Sequence, residues 1–124
     1  MPDKTYDLED RFVEFAPRVI DVVESLPNTR AGNYVAGQLI RCGLAPALLY
    51  GEAQNAESRD DFIHKMKIIV KELKESKVCL KLIIRKQMIK PASRLNNLKD
   101  ECEELIRIIS KGIDTARKNN KKRT

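Results

Sequence analysis

The sequence predicts an all-α protein, folded as an antiparallel up-down four-helix bundle. Aromatic residues make up only 5% of the 124 residues and Trp is absent, whereas Leu, Ile, Lys, Glu and Ala dominate. This composition is typical of helices rather than of a β-sandwich. Apolar residues recur at steps of three and four in four successive segments, which indicates four amphipathic helices. The connections between the segments are short, which favours antiparallel neighbours.

The first helix is expected from about Leu8 to Leu26. Pro17 lies within it and should bend the helix, because proline removes one backbone hydrogen bond and clashes with the preceding turn. A bend is favoured over a break, since the apolar stripe continues past the proline. The stripe consists of Leu8, Phe12, Phe15, Val19, Val22, Val23 and Leu26.

A second helix is expected from about Ala31 to Ala56. Its middle is unusual, because Gly43 weakens a helix interior by about 1 kcal/mol and Pro46 by about 3 kcal/mol, so packing must compensate. Small residues there allow a neighbouring backbone to approach closely. Apolar residues also cover more than one face of this helix, which predicts that another subunit covers the extra surface. The expected oligomer interface consists of Leu44, Leu48, Leu49 and Tyr50.

Two further helices complete the bundle. Ser58 is followed three residues later by Asp61, a relative of the capping box that predicts the start of the third helix. This helix should continue to about Ile89 and end before Pro91, because proline cannot continue it. The fourth helix should begin near Ser93 with an apolar stripe of its own.

Positive charge is concentrated in two segments of the chain. The net charge is +6, yet residues 1–60 contain six Lys/Arg against ten Asp/Glu. Residues 61–90 contain nine against three, and residues 111–124 contain six against one. Residues 117–124, RKNNKKRT, contain no apolar side chain. We therefore expect a bundle domain over residues 1–116 and a disordered basic tail over residues 117–124.

The composition disfavours several classes of protein. No segment approaches the ~20 uncharged residues that cross a bilayer, and the acidic start does not resemble a signal peptide. We therefore expect a cytoplasmic protein that does not bind membranes. Cys42, Cys79 and Cys102 are far apart without CxxC spacing, which predicts reduced, packed thiols. His64 has no partner at ligand spacing, so we expect no metal, no cofactor and no catalytic residue.

A row of cations follows one face of the third helix over about 27 Å. Such a row can follow the phosphates of a nucleic acid, and a solvated helix face is the alternative interpretation. The row consists of Lys67, Lys71, Lys74, Lys81 and Arg85. The tail adds further cations that attract polyanions without sequence preference, namely Arg117, Lys118, Lys121, Lys122 and Arg123. No aromatic residue interleaves with the lysines, so contacts to the backbone of RNA or DNA are expected rather than base stacking.

A second group of polar residues is directed at helix interfaces. We interpret it as a structural network in which Arg41 offsets one or more carboxylates. Paired carboxylates could also perform acid–base chemistry, but the Glu-x-x-His motif of di-iron bundles is absent. The group consists of Gln38, Arg41, Glu52, Glu72 and Glu75.

The order of the segments LEDRFVEFAPRV, SLPNTRAG, QLIRCG, YGEAQNAESRDDF and KELKES resembles a known family. This is the family of four-helix-bundle proteins encoded within intervening sequences of bacterial 23S ribosomal RNA genes. The likeness covers roughly residues 8–90 and implies a ring-shaped homopentamer. The related accessory variability determinant of diversity-generating retroelements is a basic pentamer that binds nucleic acid and a reverse transcriptase. The matching positions are Arg11, Phe15, Leu26, Pro27, Gln38, Arg41, Glu52, Ala53, Ser58, Phe62, Glu72 and Glu75.

The chain departs from the family pattern in the middle of its second helix. Many members have small polar residues where this sequence has Leu44, Ala45, Pro46 and Leu49. An aromatic residue often precedes the leucine at position 80, where this chain has Cys79. These differences are compatible with the fold, but they argue against a polar role for the middle of the second helix.

Two functions of different classes remain open. The first is a non-enzymatic, closed homo-oligomer that binds RNA or DNA through phosphates or serves as an adaptor. The second is a structural or protein-interaction module that binds no nucleic acid, with an unknown protein as its partner. In that case the acidic first 60 residues dock a basic partner or the basic face of a neighbouring subunit. An enzyme is the least favoured class.

Overall fold

The computed structural model describes the backbone of residues 7–123 and the side chains of residues 7–119. This range forms four α-helices and one short 3-10 turn. They are α1 (Leu8–Ser25), α2 (Arg30–Gln54), α3 (Arg59–Lys86), the turn Ala92–Leu95 and α4 (Asn96–Arg123). The prediction of an all-α, four-helix protein is confirmed.

Successive helices pack side by side in an up-down arrangement. α2 lies between α1 and α3, α3 packs against α4, and α1 touches α4 through a smaller contact. Cross-helix pairs show that α2 and α3 run in opposite directions, since Arg41 contacts Glu75 whereas Glu52, farther along α2, contacts Lys65 near the start of α3. Within the described residues, none of the helices combines the length and apolarity required of a transmembrane segment.

Side-chain caps define where the first three helices begin. Asp7, Thr29 and Ser58 each accept a hydrogen bond from the backbone N–H three residues later, at 3.1, 3.0 and 3.0 Å, respectively. These bonds satisfy donors that have no partner within the helix. The start of α3 at Ser58 is as predicted. At the start of α2, Gly32 lies so close to the Pro27 carbonyl oxygen that a Cβ there would overlap with it.

The core lies along the centre of the bundle and draws on all four helices. α1 is continuous through Pro17 and α2 through Pro46, whose ring is buried. Gly43 faces α1, and a Cβ at this position would lie 2.7 Å from Val19 Cγ1. The expected close approach at Gly43 is therefore present within the chain. The large side chains of the core include Phe12, Phe15, Leu39, Ile69, Leu73, Leu80, Ile83, Leu105 and Ile109.

The ends of α3 and α4 differ from the sequence-based prediction. α3 ends at Lys86, because Gln87 adopts a left-handed conformation with φ 55°. α4 begins at Asn96, after the 3-10 turn. It then continues through Arg123, so residues 117–123 are helical where we predicted a disordered tail. Lys, Arg and Asn can all be accommodated in a helix, and cations are favoured near the partial negative charge of its C-terminus.

Candidate functional site

A groove of about 680 Å³ lies between α2 and α3. Its walls combine charged side chains, most of them on α3, with the apolar and thiol side chains that lie between them. We call it the α2–α3 groove. It is lined by Gln38, Arg41, Cys42, Lys67, Val70, Lys71, Lys74, Glu75, Val78 and Cys79.

Arg41 joins α2 to two carboxylates of α3 beside the groove. Its Nη1 donates to Glu72 Oε1 at 3.0 Å and its Nη2 donates to Glu75 Oε1 at 2.8 Å. The hydrogen bond from Arg41 lowers the pKa of Glu75 below its usual value. The side chain of Glu72 is only 11% exposed, whereas that of Arg41 is 52% exposed. Arg41 thus supplies the counter-charge for a carboxylate that is largely removed from water.

The structure brings together only part of the predicted polar network. Gln38 lines the same groove as Arg41. Glu52 lies elsewhere on the α2–α3 interface, where it accepts a hydrogen bond from Lys65 Nζ at 2.7 Å. That bond raises the pKa of Lys65. Of the five residues, only Arg41, Glu72 and Glu75 form one ion-paired cluster, and Glu52 belongs to a separate ion pair with Lys65.

The predicted cation row lies on the exposed surface of α3. Lys67, Lys71 and Lys74 line the α2–α3 groove, and Lys81 and Arg85 continue the row toward the end of the helix. Among the side chains that the structure describes, none of these five forms an ion pair with a carboxylate. Other cations, such as those of the Arg41 and Lys65 pairs, are already neutralised within the chain.

A second, smaller groove connects this row to the end of α4. It has a volume of about 280 Å³, and both Lys67 and Arg117 line it together with Val70 and Asp114. Lys67 is therefore shared by both grooves. Lys118 is exposed next to Arg117. The predicted contributions of Lys121, Lys122 and Arg123 lie outside the residues whose side chains the structure describes.

The predicted oligomer interface on α2 is largely packed within the chain itself. Leu44, Leu49 and Tyr50 are partly buried against the core, and the Tyr50 ring lies 5.4 Å from the ring of Phe12 on α1. Leu48 alone of the four is strongly exposed, at 73%. α2 lies between α1 and α3, so it needs two apolar faces even in a single subunit.

Other exposed apolar side chains lie where the sequence analysis named no interface. Val13 and Ile20 are exposed on α1, Tyr34 on α2, and Val78 and Leu82 on α3. Val78 and Leu82 are four residues apart and lie beside the buried stripe of α3. This spacing is the sequence signal that could have identified them. Because α2 and α3 are antiparallel, the register of the Arg41 pairs places Tyr34 near the level of Leu82.

Two thiols belong to the lining of the α2–α3 groove. Cys42 accepts a hydrogen bond from Ser76 Oγ at 3.2 Å. A hydrogen bond from the Cys79 thiol, the largest effect, together with Ser76 and the charge of Arg41, lowers the pKa of Cys42 to about 7. The same pairing and burial raise the pKa of Cys79. The sequence analysis treated these cysteines as inert packing and did not anticipate that they would meet.

The described residues hold no group of three or more His, Cys, Asp and Glu side chains that could bind a metal ion. His64 is exposed on α3. The functional groups that line the grooves are therefore unpaired ammonium and guanidinium groups, one ion-paired cluster and a pair of thiols.

Comparisons with known proteins agree with this architecture. The family model described as 23S rRNA-intervening sequence protein matches residues 4–111. A similar solved structure is that of a protein with unknown function from the S23 ribosomal protein family of Bacteroides thetaiotaomicron VPI-5482, at 1.70 Å resolution. It shares 28% sequence identity and a TM-score of 0.78, over 85% of this chain and 96% of the other. A search of curated proteins finds no match.

Proposed function

The chain belongs to the family of 23S rRNA-intervening sequence proteins, and from that premise we propose that it is a non-enzymatic, cytoplasmic protein that binds the sugar–phosphate backbone of RNA or DNA. The binding face consists of the cation row on α3 together with Arg117 and Lys118 on α4. We call it the basic face. Affinity on such a surface comes from releasing the counterions of the phosphates, so it does not depend on base sequence.

The observation that carries this proposal is the unpaired state of the cations. Five positively charged side chains lie along α3, and none of them has a carboxylate partner among the described side chains. Holding like charges close together is unfavourable, and a polyanion relieves that repulsion. Lys67 links the row to Arg117 through the smaller groove, so the basic face extends across two helices.

Assembly belongs to the same proposal. The family resemblance implies a closed homo-oligomer with five subunits, and repetition around a ring turns each basic face into part of a continuous band. Several weak phosphate contacts then act together, because binding at one subunit raises the effective concentration of the same strand at the next. The exposed Leu48 and the exposed apolar residues of α1 and α3 provide surface for contacts between subunits.

The test compares two variants with the same change in net charge. The first replaces Lys67, Lys71 and Lys74 by Glu. The control replaces Arg18, Arg94 and Lys111, which are exposed elsewhere on the bundle, by Glu. Binding to labelled single-stranded RNA and duplex DNA is measured by fluorescence anisotropy across a salt series, and the mass of each variant is measured by light scattering.

We expect log K to fall with log salt by about 0.9 per neutralised phosphate on duplex DNA and about 0.7 on a single strand. The basic-face variant should lose about two to three units of that slope, whereas the control should keep most of it. Equal loss in both variants would mean that net charge alone attracts the nucleic acid. Unchanged binding in the basic-face variant, with the protein folded and its mass preserved, would remove α3 from the proposal.

A second candidate is a protein-interaction module in which the basic face binds an acidic protein surface. The exposed Val13 and Ile20 on α1 favour it, since Glu14, Asp21 and Glu24 surround them on the same helix. This acidic, partly apolar surface complements α3, where Val78 lies among lysines. If the charge segregation serves assembly, raising the salt concentration will dissociate the oligomer, and added RNA will leave its mass unchanged at low salt.

A further inference from the structure

Cys42 and Cys79 form a pair of thiols that the fold brings together from two helices. Both line the α2–α3 groove. Ser76 Oγ lies 3.2 Å from Cys42 Sγ, and Cys79 follows Ser76 by three residues on the same face of α3. Cys42 therefore packs against the turn of α3 that carries both Ser76 and Cys79. Sulfur atoms so placed can react with each other after one of them is oxidised.

The two sulfurs differ in the property that controls thiol chemistry. The thiolate is the reactive form of cysteine, and the pKa of Cys42 is lowered to about 7, so this thiol loses its proton more readily than an ordinary cysteine. The Cys79 thiol stays protonated, since its pKa is raised. Residue Cys42 is 1% exposed and Cys79 is 9% exposed, so a protein reagent cannot reach either sulfur and the oxidant must be small.

We propose that Cys42 and Cys79 are a redox-active dithiol that a hydroperoxide oxidises to a disulfide between α2 and α3. In the first step the Cys42 thiolate attacks the peroxide, an S–O bond forms, the O–O bond breaks, and the leaving oxygen takes up a proton. In the second step the Cys79 sulfur attacks Cys42, an S–S bond forms, the S–O bond breaks, and the departing hydroxide takes the Cys79 proton as water. Two thiols are oxidised and one peroxide is reduced.

Cys102 provides an internal control within the same chain. Its thiol is fully buried and donates a hydrogen bond to the Leu73 carbonyl oxygen at 3.2 Å. Burial, the largest effect, raises its pKa to about 12. Cys102 is not part of the lining of the α2–α3 groove, so it should survive a reagent that oxidises the groove pair from that side.

The experiment treats the full chain with hydrogen peroxide and quenches it in acid. The protein is then unfolded and alkylated, and its mass is measured. We expect the number of alkylated thiols to fall from three to one, with the loss of two hydrogens. Peptide mapping should link Cys42 to Cys79 and leave Cys102 alkylated. A Cys102→Ala variant should still form the link, and Cys79→Ala should form none.

Three outcomes would overturn the proposal. All three thiols could remain free at peroxide levels that oxidise a small-molecule dithiol. Cys42 could instead become sulfinic acid without any link to Cys79. The disulfide could also join two subunits, which non-reducing electrophoresis detects. Each of these outcomes can be detected with the wild-type chain, so the test does not rely on a variant. None of them bears on nucleic-acid binding.

Discussion

Gly43 lies where α2 packs against α1, and replacing it by Ala tests whether the close packing of these helices depends on a missing side chain. The new Cβ would lie 2.7 Å from Val19 Cγ1, 3.0 Å from Cγ2 and 3.3 Å from Cβ. Favourable carbon–carbon contacts occur at about 3.5–4.0 Å, so the nearest methyl is roughly 1 Å too close. Rotating Val19 gives no relief, because both methyl groups and the Cβ are within this range. The helices must therefore move apart.

Two opposing effects set the expected magnitude. Ala is favoured over Gly in a helix interior by about 1 kcal/mol. Overpacking a core costs about 1–3 kcal/mol. Gly37, also within α2, has no atom within 4 Å of the position that a new Cβ would occupy, and its replacement therefore reports only the first effect. We expect Gly37→Ala to stabilise the protein by up to about 1 kcal/mol, and Gly43→Ala to lie about 1–3 kcal/mol below it.

Urea unfolding followed by far-UV circular dichroism measures both changes, at one protein concentration because assembly affects apparent stability. Combining Gly43→Ala with Val19→Ala should recover part of the loss, since the truncated side chain leaves room for the new methyl group. If Gly43→Ala stabilises the protein as much as Gly37→Ala, then α1 and α2 are not in close contact at Gly43 and the reasoning fails.

The remaining predictions concern buried charge and buried thiol. Arg41→Gln should lower the urea midpoint more than Lys65→Gln, because it leaves the largely buried Glu72 without its counter-charge. Lys65→Gln affects only Glu52, whose side chain is 54% exposed. Equal urea midpoints for the two variants would contradict this prediction. Cys102 has an ordinary pKa of 9.0 and a folded pKa of about 12. Between these values the unfolded state loses its proton first, so stability should fall by up to about 1.4 kcal/mol per pH unit. Unfolding from pH 8 to 10.5 should show a shallower slope in Cys102→Ala, and identical slopes would exclude this role.

The helices were predictable because their signals are local. The cap at Ser58 depends on an N–H only three residues away, and the cation row depends on the fixed geometry of one helix. The end of α4 was predicted less well. Its last residues have no apolar stripe, yet the helix continues through Arg123 because helix propagation requires no core contact at each turn.

The candidate site was predictable only as separate components. The sequence showed that Arg41 and the carboxylates would face helix interfaces, but it could not show that Glu72 and Glu75 would share the arginine while Glu52 pairs with Lys65. Partner choice depends on the register between α2 and α3. That register is decided by side chains packing across the interface, which a periodic pattern along one helix does not encode.

The sequence by itself determined four amphipathic helices, their approximate limits, and the segregation of charge onto α3 and the end of α4, since each depends on residues a few positions apart. Only the tertiary structure decided that Lys67 and Arg117 line one groove and that Cys42 and Cys79 line another. It also decided that α1 of the same chain covers much of the second apolar face of α2. Periodicity shows how many faces of a helix are apolar, but it does not show what covers them, because that depends on contacts between residues far apart in the chain.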